Sequence, residues 1–464
     1  MNQLLLTPTD TLFFRDGRPM EGSLAGHGAI WPLPTVTNAA LHAALHDAKR
    51  CGHLSAEVIH HHDHMRGVSR AQKDIRAFGS LTTAGPFPVS PQGSWFFHRP
   101  LDLTSGSLVS TLVPRSQTGS SSLPKPLTHV LNSDQPPSKH LQAKSWLSAD
   151  AFNEYLRGST AVPTDTRALN DNDIYLAETA IGIAIDPTTA TTGQGEAQGK
   201  IYSSQSLRLQ AGWRLGLLAQ TDEKQSDGGR RDLIVKDLFR QGHRHLILGG
   251  QQRVCAVEPT KIDAIPLPRG LTEPAEFRSM PNGGFLVKWV LLSPAIFPAI
   301  ESGTSKRGTE RKAHPGGWLP TWIEPTSGRV LLQRVDEAAR RERRRLNYNG
   351  QGYSSSPNVP GRLIAARVDK PIPVTGWSNG IDELEGQDGK GGAKPTHLAV
   401  SSGSVYYFVC DTAEDAQVLA GALNWHGSDP AGTTVKNRRS TLLGEKGFGL
   451  GVCGTWIARG NETR

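Results

Sequence analysis

Two stretches of the 464-residue chain set chemistry-bearing side chains at close spacing. Near the amino terminus, Arg15-Asp16-Gly17-Arg18 places a guanidinium on either side of an Asp-Gly pair. Asp-Gly turns tightly because glycine takes φ > 0 at little steric cost, so Arg15 and Arg18 project from a bend based on Phe13-Phe14. Rigid guanidinium forks suit phosphate oxygens, although the same residues also suit a hairpin corner in which Asp16 pairs with an arginine. Near the carboxy terminus, Lys436-Asn437-Arg438-Arg439 precedes Gly444-Glu445-Lys446-Gly447-Phe448-Gly449-Leu450-Gly451. Alternate glycines let a backbone approach another chain, successive N–H groups can form an anion-binding nest, and the Phe448 ring could stack on a base. The Gly-Lys-Ser/Thr ending of a Walker loop is missing, and the glycines precede a strand instead of opening a helix, unlike a dinucleotide fingerprint. Simple packing is the competing explanation.

Other clusters carry less. His60-His61-His62-Asp63-His64 would put His60 and His64 on one helix face, but no further ligands at matched positions support a metal, and a solvated histidine cluster is favoured. Arg340-Arg341-Glu342-Arg343-Arg344-Arg345 follows Asp336-Glu337, as a helix macrodipole prefers, and fits a phosphate grip or a solvated helix end equally. Metal-free RNA cleavage needs a positioned acid and base, and the sixteen histidines offer no convergent set. No catalytic residue, metal or cofactor is expected.

The elements that must position these residues follow from patterning. Leu4-Leu5-Leu6 opens a strand that Pro8 interrupts, and residues 36–46 form an alanine-rich helix with Leu41 and Leu45 on one face and Thr35 or Thr37 as its cap. Residues 102–140 are dense in Ser, Thr and Pro and are expected to be an insertion loop. Residues 149–157 predict a short helix, and 181–185 with 201–209 a long hairpin tipped by 188–198. The polar stretch 220–231 reads as a linker, and the continuous apolar run 285–292 as a buried central strand. Residues 301–317 and 349–361 read as accessible insertions. A strand at 405–409 leads to a helix capped by Asp411 or Thr412, with a stripe of Val418, Leu419, Ala422 and Leu423.

A chain of this length has room for two or three domains, while 37% apolar residues with 50 Gly and 31 Pro predict much loop. The net charge of +8 suits an anionic partner, nucleic acid foremost, though a basic surface also serves solubility alone. Cys51, Cys255, Cys410 and Cys453 form no Cys-x-x-Cys pair and read as reduced, mostly buried thiols. With no leader and no apolar run of spanning length, a cytoplasmic protein away from membranes is expected.

Seven collinear blocks resemble one family. They are Pro8-Thr9-Asp10-Thr11-Leu12-Phe13-Phe14-Arg15-Asp16-Gly17-Arg18-Pro19; Trp95-Phe96-Phe97-His98-Arg99-Pro100-Leu101-Asp102-Leu103; Gly182-Ile183-Ala184-Ile185-Asp186 with Gly199-Lys200-Ile201-Tyr202; Leu248-Gly249-Gly250-Gln251-Gln252-Arg253-Val254; Leu291-Leu292-Ser293-Pro294-Ala295-Ile296-Phe297; Gly403-Ser404-Val405-Tyr406-Tyr407-Phe408; and the glycine-rich loop. Together they are similar to the third-subunit family of the Cmr complex, the type III-B CRISPR effector, within the RAMP superfamily of RNA-binding proteins. Gln251-Gln252 departs from the more charged residues usual there, which weakens a role for Arg253.

The resemblance implies an α+β fold of two ferredoxin-like (RRM-like) modules with long loop and hairpin insertions. The first would span 1–219, with insertions at about 102–145 and 186–199, and the second 232–464, ending in the glycine-rich loop. It implies a non-catalytic subunit that orders the 5′ tag of the CRISPR RNA and docks the large subunit to the backbone RAMP subunits, meeting target RNA only indirectly. Arg15, Asp16, Gly17, Arg18, Lys200, Arg253, Lys436, Arg438, Arg439, Lys446, Gly447, Phe448, Gly449 and Gly451 are the RNA-binding candidates. The alternatives are a RAMP-type metal-independent endoribonuclease that processes precursor RNA, and a purely structural assembly subunit.

Overall fold

The computed structural model describes residues 1–14, 25–26, 31–54, 78–103, 111–114, 122–132, 143–159, 165–183, 185–186, 188–192, 201–224, 229–240, 244–281, 283–304, 310–333, 358–378 and 392–456. Arg15, Asp16, Gly17, Arg18, Lys200, the His60–64 cluster and the Arg340–345 run lie outside them.

In chain order, the elements used below are β1 (Asn2–Pro8), α1 (Pro34–Arg50), β2 (Thr82–Val89), β3 (Phe96–His98), β4 (Thr111–Pro114), β5 (His129–Asn132), β6 (Trp146–Ser148), α2 (Ala149–Leu156), β7 (Ala168–Leu169), α3 (Asp171–Ile174), β8 (Tyr175–Ile183), β9 (Ile201–Leu209) and β10 (Arg214–Gln220). They continue with β11 (His245–Ile247), β12 (Val254–Lys261), β13 (Phe285–Leu291), β14 (Ala295–Ile296), β15 (Arg362–Arg367), β16 (Ile372–Val374), β17 (His397–Val400), β18 (Val405–Cys410), α4 (Ala413–Leu423) and β19 (Gly451–Gly454). The fold is mixed α+β, with several small antiparallel sheets and flanking helices.

The first sheet has the order β11-β12-β1-β10-β2. Alternation along β1 sends Leu4 and Leu6 under α1, against Leu41 and Leu45, and Leu5 to the opposite face. Because Asn2–Pro8 pairs on one side with β10 and on the other with β12, this sheet draws strands from both sides of the polar stretch 220–231. Helix α1 starts at Pro34 without a side-chain cap, proline at the first turn lacking only an N–H that has no partner there anyway.

The second sheet has the order β15-β18-β13-β19, so the apolar run expected to be central is central. Its Val287, Trp289 and Leu291 pack beneath α4, while Leu286 and Val290 join Leu5, Phe97, Phe152 and Tyr407 in a core shared with the first half. Lys288 lies on that second face, fully buried. Thr412 caps α4 by accepting from the Asp415 N–H at 3.1 Å.

The insertion expected to be loop is partly folded. β4 and β5 form a hairpin, the Thr128 N–H donates to the Ile364 carbonyl at 2.9 Å, and Leu127 enters the core beneath the second sheet. The two strands pair in register from Thr111 opposite Asn132 to Pro114 opposite His129, a ladder that the Ser/Thr/Pro composition obscured. Within 301–317, His314 is likewise buried, its ring bonded to Ile323 and Gly316. The long hairpin forms from β8 and β9 as expected. Cys255, Cys410 and Cys453 are buried free thiols and Cys51 is exposed.

Candidate functional site

The glycine-rich loop is an internal wedge. Gly447 sits at φ +101° where a Cβ would meet the Thr83 carbonyl at 3.1 Å and Pro34 at 3.4 Å, pressing the loop against β2 and the start of α1. Gly449, at φ +74°, leaves no room for a Cβ, which would lie 2.0 Å from the Ser440 nitrogen. The backbone is also committed: the Gly449 N–H donates to Pro294 at 2.7 Å, Gly447 to Gly444 at 3.0 Å, and Gly451 lies in β19 against Leu291. Phe448 is fully buried with Ile296, Val374 and Ala399. The sequence-based expectation of a bared anion nest with a stacking ring is therefore corrected. The same glycines that would open a backbone to a ligand instead let it close against its own fold.

The cations upstream divide. Lys436 is exposed and Lys446 half-buried. Arg439 donates from Nε to the Ala422 carbonyl at 2.6 Å and from Nη2 to Asn437 at 3.0 Å, closing the carboxy-terminal end of α4. Burial pushes its guanidinium down to about 10. Arg438 is pushed to about 10 by burial, against the pull of Glu445, and its Nε and Nη2 are enclosed without a partner. Arg253 bonds Asp10 at 3.1 Å and Gln251 at 2.9 Å. In the same turn the Gly250 N–H donates to the Phe13 carbonyl at 2.9 Å.

Between the halves opens a cleft of about 630 Å³, bordered by Pro294 in the segment that holds the glycine loop. The turn before α1 contributes Trp31, β3 contributes His98, β6 contributes Trp146 and β8 contributes Tyr175; Ser293 and Ile372 line the far side. Alternation along β3 explains His98: Phe97 enters the core shared by the halves, so Phe96 and His98 take the other face. The His98 ring stacks on Trp146 with centroids 3.9 Å apart, and Trp31 meets Trp146 edge-on at 5.3 Å and Tyr175 at 5.7 Å. Both indole N–H groups are engaged: Trp146 donates to Asp171 at 2.7 Å and Trp31 to the Pro86 carbonyl at 3.0 Å. The rings are thus fixed; Trp146 is fully buried with His98 stacked on it, so the half-buried Trp31 and His98 are the rings left for contact. Burial pushes His98 down to about 4, against the opposing charge of Asp171, so it is neutral near pH 7.

Arg99 adds a cation to this wall. Its Nη1 donates to the Leu103 and Pro100 carbonyls, and its Nε is enclosed without a partner. Burial lowers its proton affinity, Asp102 raises it and Arg367 lowers it again. Behind it the fully buried Asp102 accepts from Tyr155 at 2.7 and 2.8 Å and from Tyr407 at 2.5 Å. Lys288 lies 3.4 Å from the centre of the Tyr155 ring and donates to the Tyr155 carbonyl at 3.2 Å. Burial pushes the amine to about 8, against the pull of Asp102. Acids are present in the cleft as well, Asp171 and Asp369. Aromatic planes beside a guanidinium can stack a planar ring and hold an attached anion. Among the described residues no three His, Cys, Asp or Glu side chains converge to hold a metal.

Spacing did not single out this cleft, because its walls come from residues more than a hundred positions apart. The usable signals were the Trp31-Pro32-Leu33-Pro34 turn and the His98-Arg99-Pro100 step, aromatic or cationic residues held by prolines.

A family model described as "CRISPR-associated protein (Cas_Cmr3)" matches residues 4–456. No curated protein matches the chain. Among solved structures, a type III-B Cmr-beta complex bound to cognate target RNA and AMPPnP contains a chain 14% identical to this one, with coverage of 87% and 86% and a TM-score of 0.38. A Csm3–Csm4 subcomplex of a type III-A interference complex gives 10% identity, coverage of 89% and 94%, and a TM-score of 0.33. A Csm1–Csm4 cassette with AMPPNP gives 15%, coverage of 69% and 90%, and 0.28. These overlaps are too low to carry an argument.

Proposed function

The chain belongs to the Cas_Cmr3 family, the Cmr-type RAMP subunits of type III CRISPR effectors, and from that membership we propose that it binds the 5′ tag of the CRISPR RNA in the cleft between its halves. The observation that carries the assignment is the cleft wall itself: Trp31 held by its indole bond, His98 stacked on the buried, hydrogen-bonded Trp146, and Arg99 beside them. Stacking on fixed rings and contact between a guanidinium and a phosphate hold single-stranded RNA without chemistry. Lys436, with Arg15 and Arg18 as candidates from the sequence, supplies further phosphate contacts in this account, whereas Arg439 and the glycines position the scaffold. In the assembled effector the subunit docks the large subunit against the backbone subunits and cuts no bond.

The two halves are two ferredoxin-like modules in the same proposal, one built on the first sheet and one on the second. Support comes from the helix packed on each antiparallel sheet, α1 and α4. In this proposal the division falls beyond Lys261 and not in the polar stretch at 220–231, with support from the pairing of β1 with β12.

Photo-crosslinking tests the assignment. Tag RNA carrying 4-thiouridine is irradiated with the full-length protein in chelator, and adducts are mapped by mass spectrometry. Adducts on peptides containing Trp31 or His98, with the RNA intact, are expected. Adducts confined to other surfaces reject the cleft, and site-specific cleavage favours the endoribonuclease.

A further inference from the structure

The cleft wall ends at Asp369 and Pro371, two residues past the end of β15, which is the outer strand of the second sheet. Arg362 and Arg367 sit at the two ends of that strand, both exposed. Five residues apart on a regular strand, they would point to opposite faces. They do not, because the register slips by one residue between Leu363 and Ala365. Arg362 consequently pairs with Val409 and Arg367 with Val405, and those valines, four apart on β18, share a face with Tyr407. A bulge that re-aims a side chain in this way is a built feature of a strand.

Further cations continue the line. The exposed Arg329 is bridged directly opposite Arg362, and His129 on the neighbouring hairpin lies close enough for Arg362 to lower its proton affinity, after burial. At the other end Arg367 lies close enough to Arg99 to lower its proton affinity, after burial and Asp102 have acted on it. Like charges placed opposite each other destabilise a sheet. Among the described residues Arg329, Arg362 and Arg367 form no ion pair; Glu324 stands near Arg329 and Asp369 near the cleft end. Four guanidinium groups are thus arranged from the cleft past both ends of β15, an arrangement that an added polyanion would neutralise.

We propose that the exposed arginines at the two ends of β15 form a track for the phosphate backbone of single-stranded RNA leaving the cleft, gripped by Arg367 and then by Arg362 with Arg329. The proposal rests on the reading that the cleft holds RNA, and extends the bound strand beyond it by about 15 Å, the length of the strand at about 3.3 Å per residue.

The test compares two labelled RNAs on the full-length protein, one of about four nucleotides and one of about sixteen, spanning the usual range for a single-strand site. The Arg329→Gln/Arg362→Gln double variant changes only exposed positions, and Lys261→Glu, on the first sheet, alters the net charge by the same amount as a control. The double variant should bind the longer RNA about tenfold more weakly. Its slope of log affinity against log salt should be smaller by about 1.4, two single-strand contacts at about 0.7 each. Binding of the short RNA should be unchanged, and Lys261→Glu should match the parent. Equal loss for both lengths, equal loss in the control, or no loss for the longer RNA overturns the track. If the short RNA fails to bind the parent while the longer one binds through Arg362, the cleft assignment falls and the track stands; if neither RNA binds, both fall.

Discussion

Tyr407, on the second sheet, donates its hydroxyl proton to Asp102 of the first half at 2.5 Å. Tyr155 donates to the same carboxylate, and the group is fully buried, so one acid joins β18, α2 and the segment that carries Arg99. The width and lining of the cleft follow from this junction, because Arg99 is three residues from the acid that anchors it.

Removing that acid should cost more than a surface substitution. Asp102→Ala leaves two buried hydroxyls and the Lys288 ammonium without their carboxylate, a loss of about 3 kcal/mol or more. Tyr407→Phe, which removes one donor, should cost about 1–2 kcal/mol. Urea unfolding measures both, and an Asp102→Ala protein as stable as the parent would show that the junction contributes nothing.

Lys288 makes the same junction sensitive to pH. Its amine titrates at about 8 in the fold, below the ordinary lysine value of 10.5, chiefly through burial. Between those values the unfolded chain binds the proton that the folded chain has lost, so this group's contribution to stability rises with pH from about 8 toward 10.5. Below pH 8 the lysine is charged in both states and the penalty of burying it is fully present. The stability of the parent minus that of Lys288→Met, followed by urea midpoints from pH 7 to 10, should climb by about 2–3 kcal/mol. A flat difference contradicts this assignment.

The buried Phe448 separates scaffold from contact. Phe448→Ala should destabilise the protein by about 3–5 kcal/mol, as a core phenylalanine does. Phe448→Leu, which keeps the core filled, should retain RNA affinity. A Leu variant of normal stability that has lost affinity would return the ring to the RNA.

These cases show what patterning could and could not reveal. β13 was legible because a continuous apolar run has few alternatives, and α4 because Thr412 and an i, i+4 stripe mark a helix locally. The glycine-rich loop was legible as a close approach but not as to what approaches: composition is identical whether the neighbour is a phosphate or Thr83. The pairing of β1 with β12, at a separation of about 250 residues in register Leu5 to Glu258, is set by tertiary packing that no local window contains. The cleft shares that limit, since Trp31, His98, Trp146 and Tyr175 meet only in the fold.

Trp31 offers the cleanest change in the cleft, because it is half-buried whereas Trp146 belongs to the core. A base–aromatic stack is worth about 1–3 kcal/mol, so Trp31→Ala should weaken tag RNA binding by about tenfold or more. Trp31→Tyr, which keeps a ring, should recover most of it. Fluorescence anisotropy at fixed salt checks both, and an alanine variant with parental affinity would exclude Trp31 from the contact.

The central claim is that RNA lies between the halves against a fixed aromatic wall. A cryo-electron microscopy map of the assembled effector with its guide RNA tests it most directly. The account predicts a tag nucleotide in the cleft, its base against the Trp31 and His98 rings and its phosphate beside Arg99. A well-resolved tag that leaves the cleft empty and runs over the outer face of the first sheet would contradict it.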